Sequence, residues 1–139
     1  MKKLLITLGL LTITVLPVLA TDWFLVNQDD QMYIDTANIS KYNQVYERNN
    51  IYSIWMKNFN NNTRYDLGYS ERFNYYMIMY LVDCNTKEYT AKTGVAYDDN
   101  GSPITHIGFT LNDYQLKWQP IVPESIAAVA YNYACGGYR

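Results

Sequence analysis

Few side chains in this 139-residue chain are of types that carry out chemistry. His106 is the only histidine, which excludes a multi-histidine metal site and leaves a hydrolytic mechanism one possible base, with Ser102 or Thr105 as its nucleophile. A satisfied structural histidine is the better reading. Asp98, Asp99, Asn100 and Gly101 begin like a calcium loop, but Pro103 interrupts the ligand spacing and no glutamate closes it, so the segment reads as a turn. Asp29 and Asp30 are paired carboxylates in a polar connection, where such groups mainly solubilise. Cys84 and Cys135 are the only cysteines, and they lack the close spacing and neighbouring cations that make thiols reactive. No catalytic residue, metal site or cofactor is expected, and the chain reads as a non-enzyme.

The elements that position these residues are mostly strands. Residues 22–26 and 31–35 are short aromatic and branched runs around a polar tetrapeptide, a hairpin pattern. Residues 36–43 are turn-like. A long strand follows over 45–59, where Ile51, Ser53 and Trp55 alternate with Tyr52, Ile54 and Met56, so it belongs inside the sheet. The most apolar stretch, 73–84, is the next strand, and 88–98 and 104–110 supply two more around the turn at Asp98–Pro103. Pro123 suits a first helical position, and Ile126, Val129, Ala130 and Tyr133 share one stripe, so a helix is expected over 123–134 with Gly136-Gly137 closing it. The expected fold is α+β: an antiparallel sheet of about six strands with one C-terminal helix packed on it.

Lys2 and Lys3 precede an apolar run that ends in Val18-Leu19-Ala20, the pattern of a cleavable signal peptide over residues 1–20. The run is short for a bilayer and contains Gly9 and Pro17, so no transmembrane anchor is expected after cleavage. Without a cysteine at the cleavage point, lipid attachment is not expected either. The remaining residues, 21–139, form one domain. Removing two of the eleven basic residues takes the formal charge from −2 to −4, with no basic run, so nucleic acid is a poor partner. In an oxidising compartment, two cysteines imply a disulfide, here closing a 51-residue loop between Cys84 and Cys135.

Asp22-Trp23, then Tyr33-Ile34-Asp35, Asp83-Cys84, Trp118-Gln119-Pro120, Pro123-Glu124-Ser125 and the late Cys135 occur in an order that resembles the surface-adhesin protein E family of Gram-negative bacteria. The resemblance implies an antiparallel sheet and C-terminal helix tied through Cys84 and Cys135, a tendency to form homodimers, and binding of host extracellular-matrix or plasma proteins at the cell surface. The alternative role is that of a periplasmic structural or inhibitory partner of another envelope protein. Partner contact is expected on the loop 58–72, at Arg64, Tyr65 and Tyr69, where adaptable amides meet rigid rings. An ordinary surface loop is the competing reading of the same composition.

Overall fold

The computed structural model of the chain describes residues 21–29, 31–59 and 72–136. Its centre is the antiparallel pair β4 (Ile51–Asn58) and β5 (Tyr75–Asp83). Their alternating bulky residues give each strand two faces with something to pack. A hairpin of β1 (Trp23–Asn27) and β2 (Met32–Asp35) adds to the β4 side, and β6 (Glu88–Tyr97) and β7 (Pro103–Thr110) add to the β5 side. The continuous order is β1-β2-β4-β5-β6-β7, every pair antiparallel.

Among the described residues, two short strands bring the sheet to eight. The first, β3 (Ser40–Tyr42), pairs with β4 beyond the end of β2, and the second, β8 (Gln119–Pro120), pairs with the start of β6. Neither carries a run of strand-forming residues long enough to be read from sequence. The strand expected from Val45 begins only at Ile51. The intervening residues include Glu47 at φ 61°, which breaks extension and turns the chain so that Arg48 faces back over the sheet.

After β8, the chain enters the helix α1 (Ile126–Cys135). It starts three residues later than Pro123 suggests, because Glu124 holds φ 62° and Ser125 is the cap, accepting a 3.2 Å hydrogen bond from the Ala128 amide. Ala130 and Ala134, each 2% exposed, press against Ile34, Ile54, Met56 and Val82. Small residues here let helix and sheet approach closely. Cys135 is bonded to Cys84 with 5.6 Å between Cα atoms, which fixes the last turn of α1 to the end of β5.

A second cluster, Phe73, Tyr76, Ala96 and Ile107, fills the same side of the sheet beyond the helix. Gly94 makes it possible, since a Cβ there would stand 2.6 Å from the Tyr76 hydroxyl and 2.7 Å from the Phe109 ring. Any side chain at 94 would push both rings aside.

Candidate binding face

Because side chains alternate along a strand, the residues left over from these two clusters project from the other face. The register sets them in rows. Trp23 stands opposite Asp35, and Trp55 opposite Met79, which in turn faces Thr93. The next row runs Leu25, Tyr33, Lys57, Met77 and Val95, and beyond it Tyr75 faces Tyr97.

One end of this face is closed. The Arg48 guanidinium donates to Asp83 at 2.8 Å and to Glu88 at 2.9 Å while lying 4.0 Å above the Trp118 ring. Beside it, Ile51 and Leu81 are fully buried. Burial alone would raise the Asp83 pKa, but the amides of Asn85 and Thr86, together with Arg48, outweigh it and hold the carboxyl below its usual range. This arrangement is a structural clamp beside the disulfide.

The remainder of the face is open. A groove of about 650 Å³ is lined by Trp23, Asp35, Ser40, Ser53, Trp55 and Met79, among others. Its polar floor is satisfied from within: Asp35 accepts from the Asn38 side chain at 2.7 Å and from the Ala37 amide at 3.2 Å, and the Ser40 and Ser53 hydroxyls bond each other at 2.9 Å. What the groove offers a partner is therefore ring and thioether surface. Trp, Tyr and Met are the residues enriched where proteins meet.

Beside the groove, Lys57 lies among rings, its Nζ 4.1 Å from the centre of Trp23, 5.1 Å from Tyr75 and 5.6 Å from Phe59. Burial lowers its pKa, and the negative charge of Asp35 partly opposes that. The rings continue across four strands or strand ends: Phe59 lies 5.8 Å from Tyr33 and 5.3 Å from Tyr75, which stacks on Tyr97 at 4.7 Å. Such contacts hold large side chains in place before any partner arrives, lowering the ordering cost of binding.

Of the residues singled out from sequence, Arg64, Tyr65 and Tyr69 lie outside the described residues. The chain leaves the described part just after Phe59, inside the ring row, and re-enters at Arg72. His106, Ser102 and Thr105 are all exposed on β7 or the turn before it, a setting without the desolvation that activates a hydroxyl. The Asp98 carboxylate caps its turn, accepting from the amides of Asn100 at 2.9 Å and Ser102 at 2.8 Å. Among the described residues, no group of three or more His, Cys, Asp or Glu side chains could hold a metal ion, and no helix is long and apolar enough to cross a membrane.

None of Trp23, Trp55, Met77 and Met79 was read from sequence as a partner-contact residue. A signal was present in β4, where Ser53 and Lys57 keep step with Trp55 while Ile54 and Met56 occupy the alternate positions. Polar residues in phase with a ring mark a face that remains wet.

A family model described as surface-adhesin protein E matches residues 23–136, from the start of β1 to the end of α1. No curated protein and no solved structure matches the chain.

Proposed function

Because the chain belongs to the surface-adhesin protein E family, we propose that it is an exported, non-enzymatic binding protein of the bacterial envelope that holds a protein partner against the open face of its sheet. The observation that carries this reading is the half-exposed row of Trp23, Trp55, Met77 and Met79 beside the ring-bound Lys57. A rigid apolar centre with a cation at its edge is the composition of a contact hot spot. Residues 1–20 act as the cleaved signal, and the partner is a host extracellular-matrix or plasma protein. Arg64, Tyr65 and Tyr69, in the stretch between β4 and β5, add to the contact.

The test is binding of the mature chain, residues 21–139, to immobilised solubilised basement-membrane matrix. Replacing Trp23 and Trp55 together by Ala should weaken binding at least tenfold in a protein with unchanged circular dichroism. Equal affinity would remove the open face from the proposal. Protease treatment of intact cells separates the two compartments: digestion supports display on the surface, and full protection supports a partner inside the periplasm.

A further inference from the structure

On the opposite side of the sheet, the first turns of α1 do not close down as its last turn does. A cleft of about 180 Å³ remains between helix and sheet, lined by Met32, Met56, Tyr80, Val82, Ile126 and Ala127 among others. Its walls are mostly apolar. Two of the polar side chains that line it are already engaged: Ser125 Oγ donates to the Val122 carbonyl at 2.6 Å and the Tyr89 hydroxyl donates to Gln119 at 3.3 Å.

The gap is held open from two directions. At the far end of the helix, Cys135 is bonded to Cys84, and Ala130 and Ala134 already touch the core. At the near end, β8 is paired to β6, and the Ile121 amide donates to the Lys87 carbonyl at 3.0 Å. With both ends tied to the same sheet, the segment between them cannot settle inward to fill the space.

We propose that this cleft is a binding site for the hydrocarbon end of a monomeric amphiphile, such as a medium-chain fatty acid. An apolar cavity of roughly 150 Å³ stays dry and accepts a six-carbon ring, so this slightly larger one takes about six carbons of an alkyl chain. Met32 and Met56 are unbranched and adapt to such a chain. With Ser125 and Tyr89 engaged and no charged side chain in the lining, recognition rests on the tail and the head stays in water. The site is separate from the open face, and its fate does not depend on the adhesive role.

The methionines test this directly, because after residue 20 the chain has four: Met32 and Met56 line the cleft, while Met77 lies on the open face and Met79 lines its groove. In the mature protein labelled with ¹³C at the methionine methyls, sodium decanoate below its micelle concentration should shift Met32 and Met56 saturably and leave Met77 and Met79 in place. Ala127→Phe, which fills the cleft, should weaken decanoate binding at least tenfold, and Trp55→Ala should not change it. Shifts confined to Met77 and Met79, no saturable shift at all, or adsorption to phosphatidylglycerol vesicles without a decanoate response would each overturn the proposal.

Discussion

The two faces of β4 and β5 are built by alternate residues of the same strands, yet they solve opposite problems. On the helix side, Ile54, Met56 and Val82 are buried under α1. On the other, Trp55, Met77 and Met79 stay half-exposed, and the cover provided by Arg48 and Trp118 stops at one end. Helix, disulfide and clamp stabilise the first face and the closed end, which leaves the second face free to carry large apolar groups that folding does not use.

That contrast predicts where stability resides. Replacing both cysteines by Ala should cost the most, about 4 kcal/mol for a 51-residue loop, read as a lower urea midpoint. A loss under about 1 kcal/mol would mean that α1 is held by packing alone. Ile54→Ala, in the helix-side core, should cost about 3 kcal/mol. Trp55→Ala, its neighbour on the other face, should cost less than half as much despite removing a larger side chain. Equal costs would erase the distinction between the faces.

The clamp gives a pH dependence. The Asp83 pKa is lowered on folding, so its contribution is present above the ordinary carboxylate range near pH 4 and is lost as the pH falls through the folded value. Stability should therefore drop below about pH 4, by about 2 kcal/mol for this hydrogen-bonded charge. In Arg48→Met, the protein should be weaker at pH 7 and the acid-dependent loss smaller. An unchanged acid profile in that variant would show that Arg48 does not set the Asp83 ionisation. The smallest stability effect belongs to Arg64→Ala, Tyr65→Ala and Tyr69→Ala combined: within about 0.5 kcal/mol of the parent, with matrix affinity reduced severalfold.

The antiparallel sheet and the closing helix were legible because β4 and β6 carry long alternating runs, β5 an unbroken apolar run and α1 a helical stripe. Short pairings were not: β3 and β8 are strands only because β4 and β6 have free edges beside them. The start of α1 was misplaced since Pro123 favours a first turn, while the positive φ of Glu124, set by the path from β8, forbids it. The binding face was hidden for a related reason. Tyr75 to Val82 reads as uniformly apolar, and only the strand register shows that Met77 and Met79 share a side with Lys57 rather than with Val82.

The claim that the open face is where partners dock is tested most directly by the same methionine methyl spectrum, recorded with solubilised basement-membrane matrix at saturation. Met77 and Met79 should broaden or shift while Met32 and Met56, beneath the helix, hold their positions. Matrix binding that leaves Met77 and Met79 unmoved would contradict it.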